Sequence, residues 1–182
     1  MKKYFVTGGA GFIGSNFIRS IIKKGKNKVI NIDNLTYAGS ISTINDLLKY
    51  KNHTFIKLDI SNIKKIRNIL KKFKPDYVVN FAAETHVDRS IDNPKNFINS
   101  NILGVYNLIE VLRKYSKKNK KKIKLIHVST DEVYGDIKKQ KRSDEKSSYN
   151  PSSPYSASKA SADHLVKSFV RTYKLPAIIS NC

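Results

Sequence analysis

The feature that most constrains this chain is a run of glycines set between a short apolar strand and a helix of apolar period. Tyr4, Phe5 and Val6 lead into Gly8-Gly9-Ala10-Gly11-Phe12-Ile13-Gly14, and Ile13, Phe17 and Ile21 then recur at helical spacing. A glycine-rich turn in that context is the fingerprint of a dinucleotide site. Gly8 permits the tight turn, Gly11 lets a pyrophosphate approach the backbone, and Gly14 lets helix and strand pack closely. The helix start offers its free N–H groups to the phosphates. The spacing is Gly-x-x-Gly-x-x-Gly, which a plain strand-to-helix turn would also tolerate.

The second strand narrows the reading. Lys28 to Ile32 ends in Asp33, 19 residues beyond Gly14. An acid at this point grips ribose hydroxyls and repels a 2′-phosphate, which favours NAD over NADP. A third strand, Thr54 to Leu58, ends in Asp59-Ile60. Ser61 is then the expected N-cap of a helix that buries Ile63, Ile66, Ile69, Leu70 and Phe73. Asp59 suits an adenine amino group or a local cap equally well. After Pro75 a fourth strand, Asp76 to Phe81, ends in Ala82-Ala83-Glu84-Thr85-His86, small residues that admit a flat ligand. A helix from about Pro94 to Tyr115 is expected to bury Ile98, Ile102, Val105, Ile109 and Leu112, with Ser100 and Asn101 facing the other way.

The fifth strand, Ile123 to Val128, runs into Ser129-Thr130-Asp131-Glu132. Polar residues at a strand's carboxyl end lie where open α/β sheets bind ligands. Two adjacent acids push one pKa upward, which suits an acid and base pair. Tyr155 and Lys159 stand four apart on the next helix, Tyr155 to about Tyr173, and so share a face where an ammonium can stabilise a phenolate. Gln140 to Pro154 reads as a mobile loop over the site mouth, and Ala177 to Ile179 as a sixth strand. The alternation of strand and helix implies one doubly wound parallel sheet of order 3-2-1-4-5-6.

Composition matters chiefly for what it excludes. The chain has 182 residues, one cysteine, Cys182, and a formal charge of +21. A disulfide framework is impossible, no apolar run suits a membrane span, and the N-terminus reads as a strand, so a cytoplasmic protein is expected. Lysines supply 29 of the 35 cations and are spread along the chain, which points to a solvated surface before a nucleic-acid reader. A salt-sensitive polyanion module is the competing reading. None of the 4 histidines, His86 included, has metal-ligand spacing, so no metal is expected.

Thr7 to Gly14, Asp33 to Gly39, Ala82 to Ser90, Ser129 to Gly135 and Pro151 to Lys159, in this order, resemble the dTDP-glucose 4,6-dehydratases. These are a branch of the extended short-chain dehydrogenase/reductase family. The resemblance implies a Rossmann-type NAD-binding domain over 1–182, a nucleotide-sugar substrate and a lyase of deoxysugar metabolism. It implies that Tyr155 takes the proton of the sugar 4-hydroxyl as hydride leaves for NAD. Glu132 then removes the C5 proton, Asp131 protonates the departing 6-hydroxyl, and Thr130 hydrogen-bonds the 4-oxygen. Cofactor contacts carry over to Phe12, Ile13, Asp33, Asn34, Leu35, Thr36, Asp59, Ile60, Phe81, Ala82, Ala83, Glu84, Thr85, Ser100, Tyr155 and Lys159, and substrate contacts to Thr85 and Thr130. It implies a homodimer through the helices starting near Pro94 and Tyr155. The family continues past this terminus into a small substrate-binding domain, so weak or no turnover is expected of the chain alone, with a separate C-terminal half as a possible partner. Other nucleotide-sugar dehydratases or epimerases, and an inactive NAD-binding, dimerising remnant, are the alternatives.

Overall fold

The computed structural model describes residues 1–23, 25–137 and 142–182. Six parallel strands, β1 (Lys3–Thr7), β2 (Lys28–Asp33), β3 (His53–Lys57), β4 (Tyr77–Asn80), β5 (Lys124–Ser129) and β6 (Ala177–Asn181), form one sheet in the order β3-β2-β1-β4-β5-β6. This is the order that the sequence implies. Every neighbouring pair is parallel, so each connection crosses a face of the sheet, as right-handed strand–helix–strand units do. The register aligns Thr7 with both Ile32 and Asn80. The strand ends therefore lie level, and the chain reverses direction across the sheet between β1 and β4, where such folds bind ligands.

The connections include seven α-helices, α1 (Phe12–Lys23), α2 (Asn45–Leu48), α3 (Ile63–Phe73), α4 (Val87–Asp92), α5 (Pro94–Phe97), α6 (Val105–Asn119) and α7 (Pro154–Tyr173). Helices α3, α6 and α7 cover one face around Phe5, Val78 and Leu125, while α1 and α2 cover the other around Val6, Val29 and Val79. Strands buried on both faces read as unbroken apolar runs, which is why β1, β4 and β5 are legible. Burying each large aliphatic side chain in these layers stabilises by about 1.5–3 kcal/mol.

Three local details differ from the sequence reading. The cap of α3 is Asn62, whose side chain accepts from the Lys65 N–H, one residue past Ser61, whose own backbone N–H donates to Asp59. Helix α7 begins at Pro154 with Ser153 and Ser156 in a reciprocal capping box, one residue ahead of Tyr155. The expected helix from Pro94 to Tyr115 is divided. Between α5 and α6 lies a π-helical segment, Ile98–Gly104, and α4 precedes them. A π turn takes in one extra residue and rotates the face after it. Ile98 is consequently 48% exposed, and Asn101, expected to face away, is 1% exposed and bonded inward.

On α6, Glu110 bonds Arg113 at 2.7 Å and Lys114 at 2.9 Å. The Arg113 guanidinium above all, and the Lys114 ammonium after it, hold the Glu110 carboxyl down at about 2. A depressed carboxyl stabilises above its unfolded pKa of about 4.5 and loses that contribution as pH falls through 2. Glu110→Gln is therefore expected to flatten the loss of stability between these pH values in urea titrations. An unchanged pH slope would contradict the pairing.

Candidate active site

The carboxyl ends of the strands open into a cleft of about 660 Å³. Its floor is the glycine turn. Gly8 has φ +71°, and a Cβ there would sit 2.5 Å from the Ala82 nitrogen, so both turn and packing require glycine. At Gly14 a Cβ would run into the Gly8 carbonyl oxygen, so α1 can approach β1 this closely only without a side chain. Gly11 differs. A Cβ there meets nothing nearer than 3.4 Å, and the space above it is open cleft. Phe12 and Ile13 stand at the mouth, 82% and 54% exposed.

Asp33 ends β2 and is only 9% exposed. Its Oδ2 accepts from the Ala10 N–H at 2.9 Å and its Oδ1 from the Leu35 N–H at 2.8 Å. The acid thus braces the glycine turn against the loop after β2 while lining the cleft. Asn34, Thr36, Asp59 and Ile60 complete this wall. Asp59 caps Ser61 through Oδ1 at 2.7 Å and accepts from Asn34 Nδ2 at 3.0 Å, so it does serve as a local cap. Leu35 does not line the cleft. It has φ +56° and packs against the α1-side core, which leaves its expected cofactor contact unsupported.

Phe81 to Thr85 form the opposite wall with Ser100. Asn101 fastens this wall: its Oδ1 accepts from the Glu84 N–H at 2.8 Å, and its Nδ2 donates to the Glu84 carbonyl at 2.9 Å and the Ser158 hydroxyl at 2.8 Å. The π turn aims Asn101 inward, and the sequence signals it only as an asparagine three residues before a glycine. His86 is exposed and outside the cleft lining.

At the far end lie Thr130, Tyr155 and Lys159. Lys159 is 5% exposed, and its Nζ donates to the Val128 carbonyl at 2.7 Å. Burial lowers its pKa to about 8, with Asp163 the leading opposing influence. Burial raises the Tyr155 phenol above its ordinary value, and a hydrogen bond with Thr130 offsets part of that rise. Lys159 stands one helical turn from this phenol, and its hydrogen bond runs to the end of β5. Asp131 and Glu132 follow Thr130 in a short 3-10 turn, Asp131–Tyr134, and are exposed at the lip. Of the two, Glu132 is pushed up, by burial first and by Asp131 second.

The expected loop over Gln140 to Pro154 begins in residues outside those described. Its described part is tied down: the Asn150 N–H donates to the Val133 carbonyl at 2.9 Å and the Tyr149 phenol to Asp163 at 2.9 Å. Among the described residues no cluster suited to a metal ion occurs, and no helix is long and apolar enough to cross a membrane.

Comparison with known proteins agrees with this geometry. A dTDP-glucose 4,6-dehydratase of Salmonella typhimurium is 46% identical over 193 aligned positions, covering 99% of this chain and 54% of the relative. A crystal structure of dTDP-glucose 4,6-dehydratase from Bacillus anthracis in complex with NAD superposes with TM-score 0.89 at 39% identity, covering 100% of this chain and 55% of that one. The NAD complex of a UDP-glucose 4-epimerase from Thermus thermophilus gives 0.86 at 30% identity, over 98% and 54%. The chain spans about half the length of the curated relatives it matches. A family model described as GDP-mannose 4,6 dehydratase matches residues 5–182, and with a doubly wound sheet, a glycine-floored cleft and a Tyr155–Lys159 pair at its end, the chain belongs to that family.

Proposed function

We propose that the chain is the NAD-binding and catalytic part of a dTDP-glucose 4,6-dehydratase, a lyase that forms dTDP-4-keto-6-deoxyglucose. The observation that carries this reading is a single cleft with the glycine turn and Asp33 at one end, Thr130, Tyr155 and Lys159 at the other, and two acids at its lip. NAD fits the residues present. Gly11 leaves its Cβ position open to the cleft, the first N–H groups of α1 lack intrahelical partners, and Asp33 puts a carboxylate where a 2′-phosphate would have to sit. When bound, NAD supplies a reversible hydride acceptor.

The chain's own groups move the protons. Tyr155 takes the proton of the sugar 4-hydroxyl, and Lys159, on the same face one turn away, is the cation that favours the phenolate. Thr130 hydrogen-bonds the 4-oxygen. Glu132, made more basic by partial burial, removes the C5 proton, and Asp131 hands one to the departing 6-hydroxyl. Thr85 contacts the sugar from the opposite wall. An epimerase of the same family is the second reading; what weighs against it is the Asp131-Glu132 pair, since epimerisation at C4 needs no acid at C6.

The proposal extends to a homodimer. Ile98, Leu103, Tyr106, Val170 and Tyr173 are 37–50% exposed on the π segment, α6 and α7, with Tyr106 and Tyr173 both against Phe169. This is an apolar face that a second copy would cover. A C-terminal portion, in this or a second polypeptide, would grip the nucleotide. We place the protein in the cytoplasm.

The test supplies NAD and dTDP-glucose to the chain, alone and mixed with the C-terminal portion of a curated relative, and reads 4-keto sugar by absorbance. Weak or no product alone and clear product on mixing is expected. No product in either arm, from a chain that binds NAD, would overturn the dehydratase reading.

A further inference from the structure

Behind the catalytic pair lies a buried polar chain that the proposed reaction does not use. Asp163 sits on α7 one turn beyond Lys159 and is 0% exposed. Its Oδ2 accepts from the Ser129 hydroxyl at 2.7 Å and the Tyr149 phenol at 2.9 Å. Its Oδ1 has no hydrogen-bond partner within bonding distance, and His127 Nε2 stands 3.5 Å away.

The orientation of His127 follows from its other neighbours. Thr7 Oγ1 donates to Asn80 Oδ1 at 2.5 Å, which turns the Asn80 amide nitrogen to His127 Nδ1 at 3.0 Å. An amide NH₂ can only donate, so Nδ1 accepts and the ring proton lies on Nε2, toward Asp163. The opposite assignment would set an imidazole lone pair against a carboxylate. Burial, and after it the charge of Lys159, holds the His127 pKa down at about 3, so the ring is neutral. Asp163 thus collects two hydrogen bonds, from Ser129 on β5 and from Tyr149, with the neutral His127 ring turned toward its other oxygen, and none of these three neighbours carries a charge. The cations near it are Lys159, itself buried, and Lys167, which lies over the Tyr149 ring at 4.1 Å.

A buried ammonium is held in its charged form only where something opposes desolvation. The influences that oppose it at Lys159 are Asp163 first and Cys182 second. We propose that Asp163 is a positioning residue for the catalytic pair: its buried carboxylate keeps Lys159 an ammonium, and its bonds to Ser129 and Tyr149 tie the strand end and the following loop to the helix that carries Tyr155. This rests on the reading of Tyr155 and Lys159 given above. Without the carboxylate, Lys159 loses its proton near neutrality, and the phenolate loses its cation.

The test is an NMR titration of the full 182-residue chain with labelled lysine and aspartate side chains. Asp163→Asn is expected to lower the Lys159 pKa by at least one unit, a tenfold change in the ammonium-to-amine ratio. Coupling between two sites is mutual, so Lys159→Met is expected to raise the Asp163 pKa by a similar amount. The second arm decides alone should Asp163→Asn fail to fold. An unmoved Lys159 titration in folded Asp163→Asn, or an unmoved Asp163 titration in Lys159→Met, would overturn the proposal, since a merely structural carboxylate moves neither. Neither arm reads NAD or product, so the coupling and the proposed function can fail separately.

Discussion

Replacing Gly14 with alanine is expected to lower the thermal midpoint by roughly 6–12 °C, whereas Gly11→Ala leaves it within about 2 °C and weakens NAD binding at least tenfold. The two glycines belong to one motif but answer to different neighbours. At Gly14 the obstacle is the Gly8 carbonyl, fixed backbone that cannot swing aside, so the substitution belongs at the upper end of overpacking costs, about 3 kcal/mol. At Gly11 the nearest atoms, the carbonyl oxygens of Ala38 and Gly8, are 3.4 Å from an added Cβ, which the fold accommodates. What the methyl group would fill is the place of a pyrophosphate. Differential scanning calorimetry and NAD titration on the two variants separate these effects. Equal loss of stability in both would mean that Gly11 serves the fold and not a ligand.

Tyr155→Phe and Glu132→Gln are each expected to lower 4-keto sugar formation by about 10²–10⁴-fold in the reconstituted assay, the range of a lost acid–base group. They remove different protons. Incubating the 4-keto-6-deoxy product in D₂O isolates the step at C5, where Glu132→Gln should suppress deuterium incorporation and Tyr155→Phe should leave most of it. Suppression by both variants alike would contradict the division of labour. NAD affinity should change little in Glu132→Gln, because that residue stands at the lip and not in the cleft wall.

The sheet was legible because its signals are local and redundant. Apolar runs mark β1, β4 and β5, and each ends in residues too small or too polar for a core. The glycine turn names both the strand before it and the helix after it. Tyr155 and Lys159 were legible for the same reason, since four residues on a helix place two side chains on one face. The π segment was not legible, because apolar period cannot register one extra residue in a turn. Ile98 therefore read as buried and Asn101 as exposed, the reverse of the fold. His127 and Asp163 carry little signal in the sequence because each sits singly, without a second polar residue to pair with it locally. Only their place across the sheet, on β5 and on α7, makes them a pair. Asp163 does carry a local trace, one turn beyond Lys159. Leu35 is a different case: the resemblance carries it to the cofactor by position, while its side chain, on a left-handed backbone, packs partly buried against the α1-side core, and only its neighbours Asn34 and Thr36 line the cleft.

The most direct test of the account is calorimetric titration of the purified chain with NAD and, separately, NADP. The account predicts one saturable site for NAD, weaker binding of NADP, and loss of NAD binding in Gly11→Ala without loss of fold. No saturable heat with NAD from a folded chain would contradict it, and so would equal affinity for the two dinucleotides, since Asp33 would then not be reading the ribose.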